Sequence, residues 1–243
     1  MHKIIIDPGH GGSETGAAAN GYLEKNLNLE LSNYLKAELE RCGIEVIMTR
    51  TGDTNPSLYE RGIMAINENA LCFLSIHFNS FNKLAKGFEA IYTITPQEQR
   101  NSSQWIGNCI SEEVAKLGVF QRGIWTKESG TNPGNNYYGV LRSSQSKPAL
   151  ILEGLFLDNL QDIEFLKQPD FLKKLSISYA RGLCSAYGFG YVEEVVKVET
   201  PVKTPETIME YLVRKGFTKS LHLGSETLTM EVFGQMMKNY FGE

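Results

Sequence analysis

Residues 4–12 read Ile-Ile-Ile-Asp-Pro-Gly-His-Gly-Gly, an apolar strand that runs directly into a glycine turn with one histidine. Ligands of open α/β sheets bind at the carboxyl ends of the strands, and His10 stands at such an end. The glycines allow a ligand to approach the backbone closely. The turn lacks the lysine and the glycine spacing of nucleotide-phosphate loops. Taken alone, it fits a ligand site and an ordinary surface turn equally well.

Outward from this turn, strand and helix patterns alternate along the chain. Apolar runs predict strands at 3–7, 44–50, 72–78, 88–95 and 149–155. Helical spacing and cap residues predict helices at 26–42, 57–69, 97–117 and 170–187. The Gly-, Asn- and Thr-rich segment 123–139 predicts a loop. Strands separated by helices indicate an α/β fold with helices on both faces of the sheet.

The pattern changes after residue 191. Residues 192–205 carry two prolines and no helical period, which predicts a linker between a first domain, 1–191, and a tail, 206–243. The tail has two short amphipathic helix patterns, which predict a small α-helical module. So short a segment rarely folds alone, so we expect it to pack on the first domain, on a second copy of the chain, or on a ligand.

Composition excludes several classes of protein. The chain has 24 Lys and Arg against 28 Asp and Glu, a formal charge of −4, which argues against nucleic acid as a partner. No apolar run reaches the ~7–15 residues of a secretory signal or the ~20 of a membrane span. We therefore expect no membrane partner and synthesis in the cytoplasm, with release through a pore or by lysis before any action outside. The four cysteines lack a C-x-x-C spacing and favour free buried thiols.

Two further residues combine with His10 into a metal-ligand pattern. His77 lies at the end of the apolar run 72–78, and neighbouring strands place such ends ~5–10 Å apart, within reach of a shared metal. Glu24 precedes the helix 26–42, where the helix dipole alone favours a carboxylate. Two histidines and one glutamate are the ligand set of a catalytic zinc site with one position open for water.

Glu153 interrupts the apolar run 149–155. Burying a carboxylate there costs several kcal/mol unless the group is paired or used. Paired, it would form a salt bridge with Arg142 or Arg61. Unpaired, its pKa would rise toward the range of a general base, and beside zinc-bound water it would make a hydrolase of a carbonyl substrate.

Six motifs occur in order along the chain: 4–12, 23–29, 49–53, Leu58 with Arg61, 75–79, and 152–159. Together they resemble the zinc-dependent N-acetylmuramoyl-L-alanine amidase family of the amidase 3 type, which cuts bacterial peptidoglycan. The resemblance covers about residues 2–190 and implies a mixed, mostly parallel sheet sandwiched by helices. It further implies one zinc ion per chain, held by His10, Glu24 and His77, and a catalytic Glu153. The reaction implied is hydrolysis of the amide between N-acetylmuramic acid and L-alanine, which lyses the cell wall.

Small departures from the family pattern lie near the catalytic glutamate. Gly154 and Leu155 follow Glu153 directly where a Val-Gly pair is common, and Asp158 stands where serine is commoner. The stretch between His77 and Gly87 is too short for the long inhibitory helix insertion of the family. We therefore expect an open, constitutively active site.

Substrate contacts are predicted less directly. In the segment 123–139, Trp125, Tyr137 and Tyr138 are candidates for a substrate wall, and an ordinary Gly/Asn loop is the alternative. Arg142 is a further substrate candidate. It would also suit the rival function, a zinc carboxypeptidase of the stem peptide, as the clamp for a terminal carboxylate. A wall-binding module with an inert site is the non-enzymatic rival.

The expected biology follows from the resemblance and from the N-terminus. Without a secretory signal, the architecture resembles a phage endolysin, and a sporulation enzyme freed by mother-cell lysis is the second choice. The tail 206–243 weakly resembles helical wall-binding modules such as the surface-layer-homology type. A dimerising helical hairpin, which would make the chain a homodimer, fits the tail equally well.

Overall fold

The computed structural model describes residues 2–144 and 147–194. Its strands are β1 (Lys3–Pro8), β2 (Ala18–Ala19), β3 (Tyr22–Leu23), β4 (Glu45–Met48), β5 (Phe73–Asn79), β6 (Phe88–Tyr92), β7 (Gln121–Trp125) and β8 (Ala149–Phe156). Six of them form one sheet in the order β4-β1-β5-β8-β6-β7, while β2 and β3 form a separate antiparallel ribbon. Every neighbouring pair in the large sheet is parallel except β6 with β8. The predicted mixed, mostly parallel sheet is confirmed.

Helices cover both faces of this sheet, as predicted. They are α1 (Glu24–Arg41), α2 (Leu58–Asn67), α3 (Gln97–Ala115), α4 (Gly139–Ser143), α5 (Leu160–Leu166) and α6 (Phe171–Tyr187). Side chains of α1, α3 and α6 pack with Ile4 and Ile6 on one face. Side chains of α2 and α4 pack with Ile5 on the other face. The run of three isoleucines in β1 is therefore buried on both sides, as the central strands of such sheets are.

Local signals account for the helix starts that shape the site. The Ser57 hydroxyl accepts a hydrogen bond from the Glu60 backbone N–H, and the Glu60 carboxylate accepts one from the Ser57 N–H, so the predicted capping box begins α2. Helix α1 begins at Glu24, two residues earlier than the apolar spacing predicts. Glu24 thus lies in the first helical turn, fixed in direction by the helix.

The structure differs from the sequence predictions in one loop and in two short helices. The predicted loop 123–139 is wrong at its start, because 123–125 belong to β7. The pattern hides this strand because it carries Arg122 and Gly123 in place of alternating apolar residues. The short helices α4 and α5, of 5 and 7 residues, escape prediction because they are too short to show helical spacing. All four cysteines are free thiols, as predicted.

Strand β8 contains a β-bulge just after Glu153. His77 pairs with Glu153, but Asn79 pairs with Phe156, so β8 has one residue more than β5 across this interval. Residues 154–155 both lie against the face that packs on α6. Glu153 and Phe156 consequently point to the opposite face, the one that carries the candidate site.

Within 2–144 and 147–194, the structure contains no helix of the length and apolar character that crossing a membrane requires. The predicted tail 206–243 and most of the linker 192–205 lie outside the described residues. The predictions made for them, wall binding or dimerisation, stay predictions.

Candidate active site

His10, Glu24 and His77 come together at the carboxyl edge of the sheet. His10 follows β1, His77 lies in β5, and Glu24 begins α1. One donor atom from each lies within 4.8 Å of the others. The Nε2 atom of His10 is 3.3 Å from Glu24 Oε2, and the Nδ1 atom of His77 is 2.8 Å from Glu24 Oε1. The three residues predicted as metal ligands therefore form one cluster.

Strand pairing and two glycines explain this proximity. Strands β1 and β5 are neighbours, and the Gly9 backbone N–H donates to the carbonyl of Ile76 at 2.9 Å. A Cβ atom on Gly9 would lie 2.3 Å from His77 Nε2, and one on Gly16 would lie 2.3 Å from Glu24 Oε2. The imidazole and the carboxylate thus occupy space that only glycine leaves open.

The backbone of His10 is held in a strained conformation by a buried ion pair. Its φ angle is 60°, in the left-handed region that non-glycine residues rarely adopt. Arg61 donates from Nη2 to the carbonyl of His10 at 2.9 Å and from Nη1 to Asp7 Oδ1 at 2.8 Å. The Asp7 carboxylate also accepts from Thr49 at 2.5 Å and from Ser75 at 2.6 Å. This network fixes the turn that presents the His10 imidazole.

Arg50 joins the same turn to the beginning of α1. Its Nη2 donates to the carbonyls of Gly9 at 3.0 Å and Lys25 at 2.7 Å, and its Nε donates to that of Pro8 at 2.8 Å. Two candidate ligands on different elements, His10 and Glu24, are thereby tied together through their chain neighbours. Arg50 was not among the predicted site residues, although a charged residue directly after an apolar strand is a signal for a role.

Glu24 is buried yet ionised. Its Oε2 accepts from the Ala17 N–H at 2.7 Å and its Oε1 from the Phe78 N–H at 3.2 Å. Burial alone would raise the pKa of Glu24, but hydrogen bonds with His10 and His77 outweigh it and lower that pKa well below its usual range. Burial lowers the pKa of His77, but its hydrogen bond and ion pair with Glu24 raise it to about 9. A metal cation binding here would replace the proton, because a histidine ligand must be neutral.

Glu153 stands one strand beyond His77, on the same face of the sheet. Its Oε2 is buried and has no hydrogen-bond partner among the described residues. Burial raises the pKa of Glu153 to about 8; the charge of His77 lowers it, and those of Glu24 and Glu89 add to the rise. Buried carboxylate oxygens are nearly always paired, so a free one beside a ligand cluster indicates a bound water or substrate.

The salt bridges weighed for Glu153 are wrong. Arg61 pairs with Asp7. Arg142 donates from Nη1 to the carbonyls of Asn136 at 2.9 Å and Tyr137 at 2.6 Å. Both guanidinium groups are therefore engaged elsewhere, and Glu153 keeps the character of a basic, unpaired carboxylate.

Two adjoining cavities form a groove at and beside these residues. One of about 500 Å³ is lined by His10, Glu24, His77, Glu153 and Tyr138 among others. A second, of about 760 Å³, is lined by Tyr137, Tyr138, Arg142 and the loop residues 129–132. Both cavities include Tyr138 and Leu58, so they adjoin. Three of the four predicted substrate residues therefore line the groove, whereas Trp125 is absent from both linings and is half-buried at the end of β7.

A second polar cluster lies on the side of Glu153 away from His77. Glu89 of β6 is paired with Glu153 across the sheet and is buried. Its carboxylate accepts from Asn79 Nδ2 at 2.7 Å, Arg122 Nε at 2.9 Å and Trp125 Nε1 at 3.3 Å. Glu89 was not predicted as a site residue, although it interrupts an apolar run just as Glu153 does.

The connection between β5 and β6 is short and leaves the site open. Asp158 anchors it, since its carboxylate accepts from the backbone N–H groups of Phe81 at 3.2 Å and Lys83 at 2.8 Å. This is the position where the sequence departs from the family pattern, and aspartate accepts both bonds with one carboxylate. No helix stands between β5 and β6 in this described part of the chain.

Known proteins resemble the described domain along nearly all of its length. The model of the N-acetylmuramoyl-L-alanine amidase family matches residues 4–185. A sporulation-specific N-acetylmuramoyl-L-alanine amidase of Bacillus subtilis (strain 168) is 36% identical over 189 residues, which cover 77% of this chain and 69% of that protein. An endolysin of Bacillus phage SPP1 is 31% identical over 188 residues, covering 75% of this chain and 65% of that protein.

A solved structure shows the same architecture. The catalytic domain of CwlV, an N-acetylmuramoyl-L-alanine amidase from Bacillus (Paenibacillus) polymyxa var. colistinus, superposes with a TM-score of 0.67 at 28% identity. The match covers 78% of this chain and all of that domain.

Proposed function

Because this chain belongs to the N-acetylmuramoyl-L-alanine amidase family, we propose that one zinc ion is its cofactor and that Glu153 is its catalytic residue. The chain is a hydrolase that cleaves the amide between N-acetylmuramic acid and L-alanine in bacterial peptidoglycan. The observation that carries the proposal is the cluster of His10, Glu24 and His77, with the unpaired carboxylate of Glu153 one strand away.

The donor set fits zinc. Two imidazole nitrogens and one carboxylate oxygen are a ligand set of catalytic zinc sites, which keep a fourth position open for water or substrate. The unpaired Oε2 of Glu153 supports such an open position, because it is buried without a protein partner on the residue opposite His77. When bound, zinc would polarise the scissile carbonyl and make a water molecule more acidic.

The residues of the chain supply positioning and proton transfer. Glu153 Oε2 accepts the proton of the attacking water, a task suited to a carboxylate whose pKa is raised to about 8. The same oxygen then donates that proton to the alanine nitrogen, which leaves as a free amine. Arg61 and Arg50 hold the turn of His10, so the geometry is in place before substrate binds.

The groove walls are the proposed substrate contacts. Tyr138 lies beside the catalytic cavity, and Tyr137 is half-exposed in the adjoining one with Arg142. Aromatic rings and a guanidinium suit the apolar faces and hydroxyls of a glycopeptide. Trp125, outside both cavity linings, donates a hydrogen bond to Glu89 instead. The short connection between β5 and β6 supports constitutive activity.

Products of a digest separate this function from its rivals. Purified sacculi treated with the protein should release stem peptides with a new N-terminal L-alanine, read by mass spectrometry. A chelator should stop the release and added zinc should restore it. Loss of a terminal D-alanine instead would establish the carboxypeptidase, and binding without any product would establish an inert module.

We further propose that the tail 206–243, behind the linker 192–205, binds the cell wall or pairs two chains. The relatives of the whole chain include both a sporulation amidase and a phage endolysin, which bear on its origin. Of the two origins, we propose the endolysin, released through a pore and acting at the cell wall; release by mother-cell lysis is the alternative.

Deletion of residues 200–243 should leave a folded domain that binds zinc and still cuts small muropeptides, because few contacts cross a domain boundary. Cleavage of intact walls should fall, through lost wall affinity or lost bivalency. Light scattering and sacculus pull-down distinguish the two causes. A change from dimer to monomer indicates lost bivalency, and an unchanged mass with weaker pull-down indicates lost wall affinity. If neither mass nor wall affinity changes, both roles of the tail are refuted.

A further inference from the structure

Arg122 is a cation beside the site that the mechanism above does not use. Its Nε donates to Glu89 at 2.9 Å, and its guanidinium carbon lies 4.9 Å from the centre of the Phe156 ring. Neither of its terminal nitrogens has a hydrogen-bond partner among the described residues, and 36% of the side chain is exposed. An arginine held at Nε and on its face presents a two-pronged donor at its free end, the geometry that binds a carboxylate.

The bulge in β8 creates this arrangement. It turns Phe156 to the same face as Glu153, and the aromatic ring then supports the guanidinium. Glu89 fixes the other side of the group and is itself held by Asn79 and Trp125. Arg122 is therefore positioned by several contacts, unlike a surface arginine that moves freely in water.

The place of Arg122 in the sheet sets how far its guanidinium lies from Glu153. Glu89 is the cross-strand partner of Glu153, and strands lie ~4.8 Å apart, so the Arg122 guanidinium lies roughly 5–8 Å beyond Glu153. It lies on the side away from His77. An extended peptide advances ~3.3–3.6 Å per residue, so a group two residues along from the scissile amide is about 7 Å away. Both lengths are of the same order, so the second residue of an extended peptide bound at Glu153 is within reach of Arg122.

The stem peptide carries a suitable group at that point. It continues from the L-alanine at the scissile bond, and its second residue is a glutamate joined through the side chain. The α-carboxylate of that residue is free in some bacterial walls and amidated in others. A free carboxylate is recognised by a two-pronged guanidinium, whereas an amide is not, and the free end of Arg122 offers that group beside Glu153.

We propose that Arg122 binds the α-carboxylate of the second stem-peptide residue and makes the enzyme prefer unamidated stems. This inference rests on the proposed function, because it names the substrate class of the same site. In this role the free end of Arg122 contacts substrate, while Glu89 and Phe156 hold its other side, and Arg122 takes no part in proton transfer.

Two small substrates that differ only at this group test the proposal. They are N-acetylmuramoyl-L-alanyl-D-glutamate and its D-isoglutamine counterpart, compared by kcat/KM. The unmodified enzyme should prefer the free acid by about 10-fold or more, the range of a charge-assisted hydrogen bond. Arg122→Gln should lower kcat/KM for the acid by about 10- to 100-fold, mainly through KM, and for the amide by less than about 3-fold.

Controls separate recognition from folding. Removing Arg122 alone leaves Glu89 buried without its counter-ion, which destabilises proteins. The double variant Glu89→Gln/Arg122→Gln keeps a neutral, hydrogen-bonding pair and should lose the preference while unfolding near the temperature of the parent. Arg181→Gln removes a partly exposed arginine of α6 that pairs with Glu193, and should change kcat/KM for neither substrate.

Three outcomes would overturn the proposal. The first is an equal kcat/KM of the unmodified enzyme for both substrates. The second is an equal loss of kcat/KM on both substrates in the folded double variant. The third is a preference for the acid that persists in Arg122→Gln and disappears only in Lys83→Gln. Lys83 is the relevant rival because it lines a neighbouring cavity beside Asp158. Failure to cut either substrate, with intact sacculi also uncut, refutes the proposed function itself. Cleavage of both without preference refutes only the role of Arg122.

Discussion

Glu153→Gln is expected to bind zinc as the unmodified protein does and to cleave peptidoglycan about 10²–10⁴-fold more slowly, the usual contribution of a positioned general base. Glutamine keeps the volume and the register of the side chain in β8, so the neighbouring ligands should stay in place. It cannot accept and return a proton, so the attacking water and the leaving amine both lose their partner. Zinc content by atomic spectroscopy and the rate of muropeptide cleavage, measured on one preparation, check the two halves of this expectation.

Glu164→Gln is the matched control, since that glutamate is exposed on α5 and pairs only with Lys167 at the surface. It should leave zinc content and rate unchanged. Should Glu153→Gln lose its zinc, Glu153 would be a ligand and the assignment of Glu24 would be mistaken. A rate within about threefold of the parent would remove Glu153 from the chemistry.

His77→Ala and His10→Ala are each expected to lose both zinc and activity. Metal analysis of the unmodified protein should give about one zinc per chain, and each variant should give close to none, because two remaining ligands hold zinc poorly. The activity loss should resemble that of the chelated protein, and added zinc should not reverse it. Circular dichroism should show that the fold persists, since both imidazoles lie at the edge of the sheet.

His2→Ala is the control for these variants. His2 is exposed and packs against Phe189, with ring centroids 4.7 Å apart and ring planes tilted by 35°, and it is not part of the cluster. It should keep one zinc and full activity. Full activity in a rigorously metal-free preparation would refute the zinc site as a whole.

The sequence predicts where strands end better than it predicts which strands are adjacent in the sheet. The run 4–12 predicts both a buried strand and a turn with a functional side chain, because its apolar residues are followed closely by glycines that flank a histidine. The same holds for His77 at the end of its run. That β1 and β5 are adjacent is a property of the folded sheet, and no spacing in the chain encodes it. The family resemblance supplied that step.

What the sequence left open depends on long-range pairing. The sequence allows two interpretations of Glu153, a partner in a buried salt bridge or an unpaired basic carboxylate. Only the fold shows that Arg61 pairs with Asp7 instead. Strand β7 was missed because an edge strand with arginine and glycine does not alternate. Arg122 lies in that strand, so the second polar cluster was missed with it.

The bulge in β8 has a consequence for the evolution of the groove. Before it, odd-numbered residues such as Ile151 and Glu153 face the groove side, and after it the even-numbered Phe156 does. Because residues 154–155 share one face, loss of one of them would leave a regular strand with Phe156 still on the groove side and Leu157 still inside. Loss of one residue elsewhere in β8 would instead exchange the faces of the residues beyond it. Relatives of this chain should thus vary the length of β8 at 154–155 and keep it constant in the rest of the strand.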